Sequence, residues 1–126
     1  MKKIIFTDKA PAPIGPYNQA VLIGNTLYTS GQISLNPVTM ELVLDDIETE
    51  TKQVMENMKA VLEAAEMTFD NVVKTTIFIM NMGDFARINS VYATYFDEAT
   101  APARETVQVL GLPKGVNIEI SMIAVK

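Results

Sequence analysis

Two segments of this chain have the pattern of β-strands with apolar residues on both faces. This pattern constrains the fold more than any other feature of the sequence. Both are rich in β-branched residues and neither is long enough to cross a bilayer. In Val72–Met80 one face has Val73, Ile77 and Ile79 and the other Val72, Phe78 and Met80; in Val116–Val125 one face has Ile118 and Ile120 and the other Ile123 and Val125. Such strands predict a sheet that is covered on both faces.

Two further segments have the periodicity of amphipathic helices. The first runs from about Ile47 to Glu66 and has acidic residues at its start, where the helix dipole favours them. The second opens at Asp84. The apolar stripes are Ile47, Val54, Met58, Val61, Leu62 and Ala65 in the first helix and Phe85, Ile88, Tyr92, Tyr95 and Phe96 in the second. Two helices can cover only one face of the predicted sheet.

Shorter segments complete the predicted order β-β-α-β-α-β-β. Gln19–Ile23 and Leu27–Ser30 flank a Gly-Asn pair that is typical of hairpin turns, and two closing strands span about Glu105–Leu110 and Val116–Val125. We therefore expect a single α+β domain over residues 1–126, with one mixed sheet and both helices on one face. An open apolar face would be larger than monomers usually tolerate, so we expect it to pack against copies of the same chain.

Cysteine and histidine are both absent, which narrows the possible chemistry. Their absence excludes thiolate nucleophiles, Cys-ligated metals and the commonest general base. No carboxylate spacing resembles a calcium loop, so we expect neither a metal nor a cofactor. Catalysis would depend on Arg, Lys, carboxylates, hydroxyls, backbone groups and water.

The charged residues are scattered and give a net charge of −5. A basic stripe for nucleic acid is missing, and the N-terminus lacks the apolar stretch of about 7–15 residues of a signal peptide. We therefore expect a cytoplasmic protein that has neither a nucleic acid nor a membrane as a partner.

Arg104 and Glu119 are the strongest candidates for a functional site. Arg104 follows Ala-Pro-Ala at the start of a strand, where its guanidinium can bind a carboxylate through two hydrogen bonds. Alternatively, it is a surface residue paired with Glu98 or Glu105. Glu119 lies in mid-strand, where a carboxylate is costly unless it is hydrogen-bonded, paired or functional. The alternative is an edge strand whose polar face meets water.

Four other residues are weaker candidates. Tyr17 ends a proline-rich loop and either presents its phenol to a cleft or anchors the loop. Ser30-Gly31 closes the hairpin, and the glycine either allows close approach of a ligand or only turns the chain. Asn89 lies among apolar neighbours in the second helix and faces either a site or solvent.

Motifs along the whole chain resemble those of the reactive-intermediate deaminase (RidA/YjgF) family. The segment Ala12–Ala20 is similar to the opening signature A-x-I-G-P-Y-x-Q-A/G, and Ser30–Ile33 matches S-G-Q-I/L. From Pro102 to Ala124 the chain is similar to the closing pattern P-A-R…V-x-V…L-P…E-I-x-x-I-A. The motifs come in the family's order without a large insertion, and the chain is identified as a member of it.

The resemblance implies a chorismate-mutase-like α+β fold, assembled as a homotrimer with ligand clefts between subunits. It implies hydrolysis of reactive 2-imino acids, the enamine/imine products of serine and threonine dehydratases, to 2-oxo acids and ammonia. Arg104 would bind the substrate carboxylate and Glu119 would position the attacking water. The other implied cleft residues, some from a neighbouring subunit, are Tyr17, Ser30, Gly31 and Asn89, together with Thr106, which stands where many members have cysteine.

Two other functions remain open at this point. A non-enzymatic regulatory protein would use the same cleft to bind small carboxylates such as 2-oxobutanoate. An RNA-cleaving translation inhibitor is disfavoured by the acidic charge and the lack of histidine.

Overall fold

A computed structural model describes residues 1–126, which form one six-stranded sheet and two helices. The strands are β1 (Lys2–Ile5), β2 (Ala20–Ile23), β3 (Thr26–Thr29), β4 (Val72–Ile79), β5 (Ala103–Gln108) and β6 (Ile118–Val125), and the helices are α1 (Ile47–Ala64) and α2 (Phe85–Tyr92). The strand order is β1-β2-β3-β6-β4-β5, with β4 and β5 parallel and every other neighbouring pair antiparallel. The predicted α+β class, with a mixed sheet and two helices, is confirmed.

The sheet has one strand more than the predicted order, because the N-terminal segment pairs with the hairpin. β1 is antiparallel to β2, with Lys2 opposite Ile23 at one end and Ile5 opposite Ala20 at the other. Two consecutive lysines hide the alternation of this segment in the sequence, although lysines are common on edge strands, where they discourage pairing with another chain.

Helix α1 begins and ends where its caps are. The Asp46 carboxylate accepts the Thr49 N–H at 2.7 Å, a bond that lowers the pKa of Asp46. At the other end Glu66 adopts a left-handed conformation (φ 58°), and the Met67 N–H returns to the Leu62 carbonyl at 2.9 Å. The helix therefore ends two residues before the predicted Glu66.

The hydrophobic core lies between the helices and one face of the sheet, which we call the helix face. Its strand residues include Thr75, Ile77 and Ile79 of β4 and Ile118, Ile120 and Met122 of β6, all at most 2% exposed. The prediction that Val73 shares this face with Ile77 and Ile79 is wrong. A β-bulge between Val72 and Lys74 shifts the alternation by one residue, so Val72 is buried and Val73 is 49% exposed.

The other side of the sheet, which we call the open face, is also apolar. Strand registers and alternation place there Ile4, Val21, Ile23, Tyr28, Phe78, Val107, Ile123 and Val125. Several of these are about half exposed, among them Tyr28 at 50% and Ile23 at 48%. The predicted apolar character of the second face is therefore confirmed. Neither helix has the length and apolar character needed to cross a membrane.

The remaining boundaries differ from prediction by a few residues. Helix α2 ends at Tyr92 and continues as a 3-10 turn, Ala93–Tyr95, so that Phe96 packs on Tyr92 with ring centroids 4.8 Å apart. Strand β5 starts at Ala103, earlier than the predicted Glu105, because the segment after Pro102 already pairs with β4. Arg104 therefore lies inside a strand, which fixes the face to which its side chain points.

Candidate active site

Arg104 lies on the helix face and is held by helix α2. It pairs with the fully buried Thr75 in the β4–β5 register, and alternation gives the two side chains the same face. Its Nη1 donates to Asn89 Oδ1 at 2.6 Å. Its Cζ lies 4.9 Å from the ring centroid of Tyr92 and 5.5 Å from that of Phe85, which are cation–π distances.

No partner of Arg104 in this arrangement is charged. The alternative pairing with Glu105 is not formed, because Glu105 accepts from Lys74 Nζ at 3.1 Å, and Glu98 is not within ion-pair distance of the guanidinium. Arg104 stays exposed at the edge of a cleft of about 720 Å³. The guanidinium therefore has a fixed position and no counter-ion, as an anion site requires.

Helix α2 supplies these partners at regular spacing. Phe85, Asn89 and Tyr92 are four and three residues apart and so share one side of the helix. The Tyr92 hydroxyl is hydrogen-bonded to Thr75 Oγ1 at 2.8 Å, which ties α2 to β4. Burial raises the pKa of Tyr92, although the Thr75 hydrogen bond and the Arg104 charge oppose the shift, so the phenol stays protonated at neutral pH.

Thr106 shares the face of Arg104, two residues further along β5. Its Oγ1 is buried and has no hydrogen-bond partner. Thr106 does not line the Arg104 cleft. A buried hydroxyl without a partner is uncommon in proteins.

Glu119 lies on the open face, on the opposite side of the sheet from Arg104. It pairs with Phe78, three residues along β4 from Thr75, and an odd separation reverses the face. The carboxylate is partly buried and forms no hydrogen bond or ion pair with the rest of the chain. Burial raises its pKa because the charged form loses hydration.

Ser30 and Gly31 form one wall beside Glu119. The following residue, Gln32, exchanges two backbone hydrogen bonds with Ile120 at 2.8 and 3.1 Å, which brings Gly31 against the Glu119 side chain. A Cβ on Gly31 would lie 2.7 Å from Glu119 Cδ, so only glycine fits there without displacement of the carboxylate. The Ser30 hydroxyl donates to the Asn18 carbonyl at 2.5 Å.

Tyr17 closes another side of the same cleft, whose volume is about 550 Å³. Its hydroxyl accepts the Ile14 N–H at 3.3 Å, and its ring is half exposed. Gln19 and Lys114, which no sequence pattern singled out as site residues, also line this cleft. Lys114 has a left-handed backbone (φ 56°), for which the Pro-Lys-Gly turn was the available signal.

The candidate residues thus form two groups within one chain. The group around Glu119 contains Tyr17, Ser30 and Gly31, and the second group contains Arg104 and Asn89. The first offers a carboxyl that can move a proton, and the second offers a cation that can bind an anion. A single chain does not bring the two groups together.

These features define a class of small α+β protein in which one sheet face is open and two clefts beside the sheet each contain charged side chains. The chain belongs to the RidA/YjgF family: the family model described as Endoribonuclease L-PSP matches residues 7–126. This confirms the resemblance seen in the sequence.

Three relatives show how uniform the similarity is. The 2-iminobutanoate/2-iminopropanoate deaminase of Mus musculus is 46% identical over 126 residues, covering 100% of this chain and 93% of its own length. YyfA of Yersinia pestis, a protein of the Rid family, has a TM-score of 0.97 at 49% identity and full coverage of both chains. TdcF of E. coli, solved with bound serine, has a TM-score of 0.92 at 45% identity and covers 98% of both chains.

Proposed function

We propose that this protein is a cytoplasmic deaminase that hydrolyses reactive 2-imino acids to 2-oxo acids and ammonia, without a metal or cofactor. The observation that carries the proposal is the guanidinium of Arg104, held by an amide and two rings and left without a counter-ion. The mouse relative that bears the name of such a deaminase supports the choice of substrate class. Enamine/imine products of serine and threonine dehydratases belong to this class.

The active site in this proposal is formed between copies of the chain, assembled as a homotrimer. Arg104 and Glu119 lie on opposite sides of the sheet, so the pair from one chain cannot contact one small imino acid. A second copy packed on the open face would cover its apolar residues and bring its own Arg104 to the Glu119 cleft.

The chemistry then needs only these side chains and water. Arg104 binds the substrate carboxylate, which fixes the imine carbon beside a water held by Glu119. Glu119 accepts a proton from this water as its oxygen attacks the imine carbon, and it passes the proton to the imine nitrogen, which gives a carbinolamine. As the C–N bond breaks, the second proton moves from the hydroxyl through Glu119 to nitrogen, so that ammonia leaves and the 2-oxo acid remains. A pKa raised by burial suits this exchange, because the carboxyl can then act in both protonation states nearer to neutral pH. Tyr17, Ser30, Gly31 and Asn89 would shape the cleft around the substrate. Thr106, the other position that the resemblance implies, shares the face of Arg104 on β5 but lines neither cleft.

A coupled assay tests this function directly. A threonine dehydratase generates 2-iminobutanoate, and the appearance of 2-oxobutanoate is followed with and without this protein. We expect Arg104→Ala to lower kcat/KM by at least ~100-fold, about 2.7 kcal/mol of transition-state stabilisation. The matched control is Arg87→Ala, since Arg87 pairs with Asp84 and Glu48 and lines neither cleft.

The outcomes separate the alternatives. If Arg104→Ala keeps half of the wild-type rate, the assignment of Arg104 is wrong. If the wild type binds 2-oxobutanoate but does not accelerate imine hydrolysis, the protein is a non-enzymatic binding protein. If it degrades RNA at low salt, it is the translation inhibitor that the charge and composition disfavour.

A further inference from the structure

The side chain of Gln19 is buried under the loop that walls the Glu119 cleft. It is 2% exposed and uses both ends of its amide. Oε1 accepts the Thr7 N–H at 2.8 Å, and Nε2 lies 2.9 Å from the Thr7 carbonyl, 3.3 Å from that of Ala10 and 2.9 Å from that of Pro11. One amide therefore satisfies four backbone groups of the same loop.

This loop, residues 7–17, has few other attachments. Its remaining hydrogen bonds are internal, from Lys9 N to Thr7 Oγ1, from Ile14 N to Tyr17 Oη and from Tyr17 N to the Gly15 carbonyl. Next to the loop, the Ser30 hydroxyl donates to the carbonyl of Asn18, the residue after Tyr17. Because Pro11, Ala12, Ile14 and Tyr17 line the cleft, the position of the loop sets the width of the cleft.

The backbone of Gln19 is hydrogen-bonded to the opposite wall of the cleft, which Ser30 and Gly31 form. Its carbonyl accepts the Ser30 N–H at 2.9 Å, immediately before Gly31 and its contact with Glu119. The side chain and main chain of one residue thus link the two walls between which Glu119 lies.

We propose that Gln19 is a positioning residue, whose amide fixes the 7–17 loop as the outer wall of the cleft and so holds substrate against Glu119. The proposal rests on the proposed function for its kinetic consequence but not for its structural one. An amide is required because the loop presents both a donor and three acceptors. In a Gln19→Glu variant, a carboxylate of equal size would face three carbonyl oxygens without a donor.

The test combines hydrogen exchange of the 7–17 loop with steady-state kinetics on 2-iminobutanoate. For Gln19→Glu we expect exchange in this loop to be faster by at least about tenfold, because unpaired buried carbonyls favour local opening. We expect KM to rise by about tenfold while kcat changes by less than about threefold, since substrate is held less well but the chemistry is unchanged. Gln19→Met, which is neutral and of similar length, is expected to show the same pattern.

The matched control is Asn71→Ala. Its amide also joins distant backbone, donating to the Val125 carbonyl at 3.1 Å, but it lines no cleft. We expect it to leave loop exchange and KM unchanged. An equal effect in this variant would reduce Gln19 to a general stabilising residue and overturn the proposal.

The remaining outcomes are also decisive. The positioning role is overturned if the amides of the 7–17 loop in Gln19→Glu exchange at the wild-type rate, or if they exchange fast while KM is unchanged. It is also overturned if both Gln19 variants fail to fold. If the wild-type protein itself does not hydrolyse the imine, the proposed function fails separately. The affinity for 2-oxobutanoate then decides: weaker binding in Gln19→Glu supports the positioning role, and equal binding contradicts it.

Discussion

At the scale of the residue, one missing atom decides where Glu119 lies. Gly31 has an ordinary backbone conformation, so glycine is needed here for space and not for a left-handed turn. A methyl group at this position would lie within 2.9 Å of three side-chain atoms of Glu119, closer than any normal contact. The carboxyl would have to move away from the cleft wall.

We therefore expect Gly31→Ala to fold normally and to lose turnover. Misplacement of the carboxyl by about 1 Å is expected to lower kcat by tenfold to a hundredfold in the coupled assay. Gly111→Ala is the control, since a Cβ on Gly111 meets nothing within 4 Å and its φ is not left-handed. Full activity in Gly31→Ala would show that the position of Glu119 does not matter.

The raised pKa of Glu119 predicts how stability depends on pH. Because folding raises this pKa above its ordinary value of 4.5, Glu119 contributes stability below pH 4.5 that is lost as pH rises through the folded-state pKa. Because Arg104 of a second copy would lower this pKa in the proposed assembly, the comparison is made in the Arg104→Ala background. Glu119→Gln does not titrate, so there we expect it to raise the Tm at pH 7.5 and the difference to vanish near pH 4. A lower Tm on addition of Glu119→Gln at pH 7.5 would mean that the carboxylate is paired within its own chain. In the assay, Glu119→Gln alone is expected to lose turnover more than binding.

Single residues were predictable where a local motif carried them. The proline-rich loop indicated Tyr17, and Ala-Pro-Ala placed Arg104 at the start of a strand. Gln19 belongs to the opening signature, but its role was not predictable, because it depends on carbonyl groups 8 to 12 positions away that approach it only in the folded loop. Lys114 was passed over because a lysine in a turn is usually a solvated residue.

Among the secondary-structure elements, helix α2 fixes the position of Arg104 through one hydrogen bond and two cation–π contacts. From the sequence, Asn89 could face either a site or solvent, because an asparagine among apolar neighbours in a helix fits both. In the structure, Asn89 Oδ1 accepts a hydrogen bond from Arg104 Nη1 at 2.6 Å. The parallel pairing of β5 with β4 brings the strand beneath α2 and makes this contact possible.

Removal of this acceptor is expected to weaken substrate binding. Asn89→Ala leaves the guanidinium with only its aromatic contacts, and we expect KM for 2-iminobutanoate to rise by about tenfold, as the loss of one charged hydrogen bond implies. Ser90→Ala is the matched control, because Ser90 lies on the same helix and bonds only to the Arg87 carbonyl. An unchanged KM in Asn89→Ala would show that the rings alone hold Arg104.

Elements were well predicted where periodicity was strong and poorly where it was interrupted. The stripe of α1 gave the helix within two residues, and the hairpin was found from its Gly-Asn turn. The bulge at Val72–Lys74 was not predictable, because an inserted residue changes the face of its neighbours without a change in composition. β1 was not predicted, because this segment forms a strand through its pairing with β2 and its own sequence has no strand pattern.

At the scale of the whole molecule, the sheet separates the two groups that the proposed reaction needs. The apolar strands of the sequence predicted an uncovered face, and the structure shows it. The sequence could not show that Arg104 and Glu119 point to opposite sides, since a turn and two strand registers lie between them. The proposal of a site between copies follows from this separation together with the apolar open face.

Complementation between two inactive variants tests this central claim. Arg104→Ala and Glu119→Gln are co-expressed with different tags, and the mixed oligomers are assayed with 2-iminobutanoate. If each site takes Arg104 from one copy and Glu119 from the next, every mixed trimer has one intact site of three, so the mixed oligomers restore about one third of the wild-type sites. Activity near this level, when each variant alone is inactive, is the predicted result. Mixed oligomers no more active than their parents would contradict a shared site.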